Sequence, residues 1–432
     1  MNLRAKLSER EARGAPVRVG LIGAGKFGTM FLAQAQRTPG LRVVAIADLD
    51  LARARAALER VEWSAPAPQL LEDAERLIAG PAEVVIDATG SPAAGIRHAL
   101  SAAANGKHIV MVNVEADVLA GPLLARRAAE AGTIYSMAYG DQPSLIAEQV
   151  DWARAAGFEV VCAGKGTKYL PAYHASTPDT VWSHYGFSEE QLAAGDFNAR
   201  MFNSFLDGTK SAIEMAAVAN ATGLEPRPEG LLFPPVGCDE LAAALGPSSK
   251  GTVEVVSSLN RDGSPVDRDL RWGVYVVFKA PTDYARRCFA EYGLTTDPSG
   301  WYAALYRPCH LIGLELGVSV ASVALRGEPT GCATDFRGDA VAVAKRDLAA
   351  GETLDGEGGF TVWGRLMPAA DSLSVGALPI GLAHGVELRR AVAAGAVLRW
   401  ADVAADESSQ AVRIRREMEA LFAPKQAARR SG

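Results

Sequence analysis

Residues 17–28 read VRVGLIGAGKFG, a short apolar run that enters Gly23-Ala24-Gly25-Lys26-Phe27-Gly28 without a break. A helical stretch follows to about Arg37, and a second apolar run from Arg42 to Ala47 stops at Asp48. Few folds satisfy that order. Strand, glycine loop, helix, strand and terminal acid spell a βαβ unit of a parallel sheet. Gly23 permits the tight turn, Gly25 lets the backbone approach a pyrophosphate, and Gly28 allows close helix–strand packing. Free N–H groups at the helix start, around Lys26 and Phe27, suit the phosphates of a dinucleotide. Asp48 lies 25 residues after Gly23, placed to accept hydrogen bonds from an adenosine ribose and to repel a 2′-phosphate. The pattern predicts NAD or NADP, with NAD favoured, although Arg53 and Arg55 bring positive charge nearby.

The same rhythm continues to residue 140. Glu83 to Ala88 reads as a strand closing in Thr89-Gly90, and a helix from about Ala94 to Asn105 leads to the strand His108 to Val112. A helix from about Leu119 to Ala131 and the strand Thr133 to Met137 follow. Alternation of this kind predicts a doubly wound α/β sheet with ligands at the carboxyl ends of its strands. Thr89, Gly90, Asn113 and Glu115 then border the cofactor crevice. For Glu115, helix capping is the competing duty.

After residue 140 the alternation is lost. A helix is expected from about Ser144 to Ala156, then a strand Glu159 to Ala163 that delivers the loop Gly164-Lys165-Gly166-Thr167-Lys168. The GxxxxGK[ST] spacing of a P-loop is absent. Two ammonium groups on a glycine-flanked loop suit an anionic or carbonyl-bearing substrate. Residues 169–185 form a long polar stretch containing His174, and loops of that length are often functional.

A helix expected over Met201 to Ala219 carries Asp207, Lys210 and Glu214. Lys210 and Glu214 share one face, which leaves two readings open. One is an ordinary intrahelical ion pair. In the other, Lys210 stabilises a developing alkoxide or relays a proton, oriented by Asp207 or Glu214. Strands are expected at 252–258 and 272–279. The segment YAALYRPCH ends on Arg307, able to clamp a carboxylate or phosphate, and His310, a binding or acid–base group. With Lys165, Lys168 and Lys210 in one cleft, the three ammonium groups are expected to lower one another's proton affinity.

Between residues 336 and 403 the motif Ala-Ala-Gly-x-x-Leu occurs twice, at 349–354 and 393–398, each time beside short strands. That predicts a small β-rich module with glycine at positive φ in its turns. A charged tail follows, with a helix reaching Phe422. The resulting division is an N-terminal extension (1–16), a dinucleotide-binding domain (17–140), a central α+β domain (141–335), the β-rich module (336–403), and a C-terminal helix and tail (404–432).

Composition removes other classes. The formal net charge of −6 gives no reason to expect nucleic acid as partner, and no apolar run reaches transmembrane length. The polar start has no secretory core, and five cysteines without CxxC spacing point to a reduced, cytoplasmic setting. Six histidines form no metal-binding pattern, so no metal site is expected, and a divalent ion would depend on carboxylates alone.

Longer matches are specific. Gly106-Lys107-His108 with Val112-Asn113-Val114-Glu115-Ala116-Asp117, Ala163-Gly164-Lys165-Gly166, and Glu214 through Leu224 (EMAAVANATGL) resemble the homoserine dehydrogenase-like oxidoreductases that carry a C-terminal SAF domain. That group includes the 1-deoxy-D-xylulose 5-phosphate reductoisomerase-like branch. The resemblance implies a Rossmann domain, a catalytic α+β domain that also mediates homo-oligomerisation, and a small SAF domain. It places Asp207, Lys210 and Glu214 in the substrate region, with Lys165 facing the same cleft. The expected activity is NAD(P)-dependent oxidoreduction of a small, polar, anionic carbonyl or alcohol, such as a sugar acid or sugar phosphate. The alternatives are a reductoisomerase on a phosphorylated ketose and a non-catalytic dinucleotide-responsive binding protein.

Overall fold

In the computed structural model, which describes residues 2–194 and 197–423, the apolar runs of the first third form one six-stranded parallel sheet. Its strands are β1 (Val17–Ile22), β2 (Leu41–Ala47), β3 (Gln69–Leu71), β4 (Val84–Asp87), β5 (His108–Met111) and β6 (Tyr135–Met137), in the order β3-β2-β1-β4-β5-β6. The order reverses between β1 and β4, which opens a crevice above the carboxyl ends of those strands. Helices α1 (Leu3–Ala12), α2 (Lys26–Ala35), α3 (Leu51–Arg60), α4 (Ala74–Ile78), α5 (Pro92–Ala104) and α6 (Val114–Glu130) belong to this part. Strands covered on both faces need no polar side, which is why they read as unbroken apolar runs. The N-terminal extension is part of this body, because α1 buries Leu3 and Leu7.

Helix α6 starts five residues before the expected Leu119. Asn113 caps it by accepting the N–H of Ala116 at 3.0 Å, and Glu115 and Asp117 suit its positive first turn.

The middle of the chain holds α7 (Gln142–Ala155) and a second sheet, ordered β10-β9-β7-β8. Its strands are β7 (Glu159–Thr167), β8 (Thr252–Ser257), β9 (Val274–Lys279) and β10 (Tyr302–Arg307). Here the expected GKGTK loop is corrected: β7 runs through it to Thr167. Its glycines serve close backbone approach, not a turn. A Cβ on Gly164 would collide with the carbonyl oxygen of Glu254 in β8, and one on Gly166 with that of Leu270. Lys165 is consequently a buried strand residue.

Between β7 and β8 lie α8 (Val181–Tyr185), α9 (Glu189–Ala194), α10 (Ala199–Leu206), α11 (Thr209–Thr222) and α12 (Leu241–Leu245). The single helix expected over 201–219 is two, broken at Asp207-Gly208, where Gly208 takes φ +93°. After α13 (Asp283–Glu291), α14 (Gly317–Arg326) returns to cover the first sheet beside α1.

The last part pairs β11 (Gly338–Ala344) with β13 (Val362–Pro368) and β12 (Thr353–Asp355) with β14 (His384–Glu387), both antiparallel. Helices α15 (Ala369–Val375) and α16 (Gln410–Phe422) complete it. Gly351 and Gly395 of the repeated turns take φ +82° and +75°. The two halves meet where Leu348 and Val392 exchange backbone hydrogen bonds of 2.9 and 3.0 Å. The tail expected beyond the helix, residues 424–432, lies outside the described residues.

One element touches all of this. Helix α11 packs on α6, α7, α10, β7, β8, β11 and β13, and Thr209 and Ser211 through Asn220 are buried. Its alanines allow the close packing, as at Gly338, where an added Cβ would stand 3.1 Å from Cα of Ala216.

Candidate active site

The glycine loop divides its labour. Gly23 has φ +96°, and a Cβ there would lie 2.8 Å from the carbonyl oxygen of Ala88, while one on Gly28 would strike that of Gly23. A Cβ on Gly25 meets nothing within 4 Å. Two glycines therefore serve packing and one leaves the loop open to a ligand. The α2 N-terminus beside it, with exposed Lys26 and half-buried Phe27, has no side-chain cap. These features fit a pyrophosphate group.

Asp48 has a duty that sequence did not suggest. Its buried carboxylate accepts the N–H of Ala24 at 2.8 Å and that of Asp50 at 2.9 Å, with Arg53 3.7 Å away. It holds the glycine loop from beneath instead of presenting a free carboxylate to a ribose. On the opposite rim, the Thr89 N–H and hydroxyl both donate to Asp87, and the Asn113 amide donates to the Thr89 hydroxyl at 3.2 Å and the Ser91 carbonyl at 2.8 Å. Gly90 stays exposed.

Beyond that rim sits a chain of charges from three parts of the fold. The Lys165 ammonium, from β7, donates to Gln142 Oε1 at 2.8 Å and pairs with Glu214 of α11. Both members of the pair are nearly inaccessible. Lys210, one turn earlier on α11, pairs with Glu115 of α6. The intrahelical Lys210–Glu214 pair, one of the two readings left open, is thus replaced by two longer-range pairs. Burial works to lower the pKa of Lys210, but Glu115, Glu214, Glu357 and Asp141 outweigh it and raise the value. This corrects the expectation that neighbouring lysines depress it: the surroundings of Lys210 are carboxylates. Asp141, the N-cap of α7, is pushed up to about 7 by burial and then by Glu214, with Lys210 opposing.

Asp207 meets Lys345 of the last part at 2.8 Å, with both side chains shielded from solvent. Burial holds its carboxyl above the usual range even against Lys345.

The remaining candidates divide. His174 has both ring nitrogens engaged, donating from Nδ1 to the Asp207 carbonyl at 2.6 Å and accepting the Tyr169 hydroxyl at 2.9 Å on Nε2. Stacked on Trp363 at 3.8 Å, it packs the last part against the middle. Arg307 is spoken for by Glu315 at 2.5 Å. His310 donates from Nδ1 to the Trp272 carbonyl at 2.8 Å, which leaves Nε2 as an acceptor. Burial lowers its pKa, and Glu214 and Lys165 are close enough to act on it as well. The segment after His310 also lies on the glycine loop: a Cβ on Gly313 would stand 2.8 Å from the Phe27 carbonyl oxygen. Lys168 donates to the His184 carbonyl, and its pKa is lowered by burial and by Arg271. Lys168 and Arg271 both lie over the Tyr185 ring, at 5.5 and 5.8 Å.

Asp141, Gln142, Arg271, Lys345 and Glu357 escaped sequence reading. Only the glycine run around Glu357, Gly356-Glu357-Gly358-Gly359, offers a local signal.

Three family models match the chain. They are the homoserine dehydrogenase NAD-binding domain over residues 19–136, the catalytic domain of oxidoreductase DRL over 140–316, and the SAF domain over 339–404. The chain thus carries, in this order, a region matching a homoserine dehydrogenase NAD-binding domain, one matching the catalytic domain of oxidoreductase DRL and one matching a SAF domain, the architecture expected from its sequence. No curated protein matches it in sequence.

Among solved structures, an oxidoreductase from Agrobacterium radiobacter in complex with NAD+, L-tartaric acid and magnesium is 17% identical, over 35% of this chain and 44% of that one, with a TM-score of 0.28. The WlbA dehydrogenase from Bordetella pertussis, in complex with NADH and UDP-GlcNAcA, is 18% identical over 42% and 50%, with a TM-score of 0.29. A probable dehydrogenase from Thermotoga maritima is 15% identical over 72% and 90%, with a TM-score of 0.37. This chain spans about half the length of the first two. Similarity at this level decides neither substrate nor reaction.

Proposed function

We propose that the protein oxidises or reduces a small, hydroxylated, anionic alcohol or carbonyl compound, such as a sugar acid or sugar phosphate. The observation that carries this reading is the buried Lys165–Gln142–Glu214 chain beside Lys210–Glu115 and His310, next to the glycine loop. A nicotinamide dinucleotide bound there would supply or take up a hydride. Lys165, held in place by Glu214 and Gln142, polarises the substrate oxygen. His310 Nε2 or the Asp141 carboxyl, pushed up to about 7, is placed to hold the exchangeable proton.

Lys168 and Arg271 support the anionic part of the proposal. Two half-buried cations over one ring, neither in an ion pair among the described residues, repel each other until an anion arrives. Either dinucleotide fits this reading, because the Asp48 carboxylate is taken up by the N–H groups of Ala24 and Asp50, with Arg53 3.7 Å away. Reductoisomerase chemistry on a phosphorylated ketose is the second reading, supported by the resemblance of Ala163–Gly166 and Glu214–Leu224 to that branch.

Cofactor oxidation with 1-deoxy-D-xylulose 5-phosphate, and cofactor reduction with a panel of sugar acids and polyols, run with each dinucleotide and with or without magnesium, separates these. A rearranged carbon skeleton selects the second reading. In either case Lys165→Ala is expected to lower turnover by about 10²–10⁴-fold. Full turnover in both Lys165→Ala and Lys210→Ala, with unchanged substrate dependence, would sink the mechanism.

A further inference from the structure

Two strands of the last part reach the first turn of α11. Gly364 of β13 donates its N–H to the Thr209 hydroxyl at 2.7 Å. A Cβ on Gly364 would stand 2.8 Å from Cγ2 of Thr209, so glycine is what lets the strand come this close. Just past the end of β11, the Lys345 ammonium meets one oxygen of Asp207 at 2.8 Å. It also donates to the Ser176 and Gly359 carbonyls, at 2.6 and 2.7 Å. The other oxygen of Asp207 accepts the Thr209 N–H at 2.9 Å. Asp207 thus satisfies a free N–H at the start of α11, where Gly208 has no side chain to do so. Lys210 is the next residue along, and it crosses to Glu115 of α6.

The rest of the helix is held elsewhere, since Ser211 through Asn220 are buried and α6, α7, β7 and β8 pack on it. Nor can Asp207 touch a substrate, because its side chain is wholly shielded from solvent. Apolar side chains would join the two parts at least as firmly as a buried ion pair. What the pair adds is direction, because it fixes where α11 begins. We propose that Lys345 and Gly364 are positioning residues, acting through Asp207 and Thr209, by which the C-terminal SAF part sets the place of Lys210 in the candidate active site. The role rests on the oxidoreductase reading above. Lys165 is independent of it, being fixed in β7 and bonded to Gln142 and to Glu214, one turn further along α11.

The test uses the full chain and needs no substrate. Acetylation by N-hydroxysuccinimidyl acetate at pH 8, read by peptide mass spectrometry, reports how firmly each ammonium is held. Thr209→Val removes the acceptor of the Gly364 N–H. It is expected to speed acetylation of Lys210 by about three- to tenfold, a tenfold change corresponding to one unit of lysine pKa. Thr209→Ser keeps the hydroxyl and should keep the wild-type rate, and Lys165 should react alike in all three proteins.

A general loosening of the fold would speed Lys165 and Lys210 together, and that result overturns the proposal. So does a wild-type rate at Lys210 in a folded Thr209→Val protein. If Thr209→Val does not fold, Lys345→Met combined with Asp207→Asn takes its place. That pair leaves no lone charge, and the new amide oxygen can still accept the Thr209 N–H, so only the tie to the SAF part is lost. The same selective rise is expected there, and its absence overturns the proposal equally. A wild type without dinucleotide-linked turnover whose Lys210 still responds overturns the reaction reading, not the positioning. Turnover with an indifferent Lys210 does the reverse.

Discussion

Lys210 stands four residues before Glu214 on one helix, and local spacing makes them obvious partners. The fold assigns Lys210 to Glu115 and Glu214 to Lys165 instead. Those partners lie 95 and 49 residues away along the chain, beyond the reach of any helical rule. Sequence could name Lys165, Lys210, Glu214 and Glu115 as candidates but not which of them meet. Asp117 makes the same point for stability. It matched a family motif, and in the structure it is a buried carboxyl that accepts the Tyr135 hydroxyl at 2.9 Å. Burial pushes it up to about 7, with Tyr135 opposing. The folded protein thus holds a proton that the unfolded chain releases near pH 4, so ionising Asp117 on the way from pH 4 to about 7 removes stability. Urea unfolding at pH 5.5 and 8 should show less stability at the higher pH, and Asp117→Asn should reduce that difference. An unchanged slope in the variant would show that other groups cause it.

Elements were legible in proportion to how local their causes are. Helix α3 begins at the Asp50 cap, where Asp50 accepts the Ala52 N–H, and the βαβ start follows from short-range patterns. β7 did not, because a glycine in a strand and a glycine in a turn look alike until the neighbouring strand is in place. Gly164→Ala puts a methyl group into the β8 backbone, so it is expected to cost about 3 kcal/mol or more. A drop in the urea midpoint, followed by circular dichroism, would check this, and a midpoint equal to that of wild type would refute the packing explanation. The break before α11 was equally hidden. Asp207-Gly208-Thr209 reads as helix on periodicity, yet Gly208 at positive φ lets Asp207 turn to Lys345 while Lys210 meets Glu115.

Across the whole molecule, the charged C-terminal segment proves to be a tie. Arg415 of α16 is fully buried, with Nη2 2.6 Å from Asp339 of β11 and Nε 2.8 Å from Glu419. Helix α16 also packs on α5 and α6, so one side chain links the last part to the first. Arg415→Met would strand the Asp339 carboxylate in the core, at a cost of roughly 3–5 kcal/mol. Pairing it with Asp339→Leu should return much of that loss in equilibrium unfolding, and a double variant as weak as the single would argue against a charge effect.

The Asp207–Lys345 contact has a consequence in time. The two residues are 138 positions apart. At synthesis rates of roughly 5–20 residues per second, Asp207 leaves the ribosome about 7–28 s before its counter-charge exists. Until then, closing α11 over it would bury a lone carboxylate. The first sheet waits in the same way for α14, which covers it, so both the dinucleotide fold and the start of α11 close only after most of the chain has emerged.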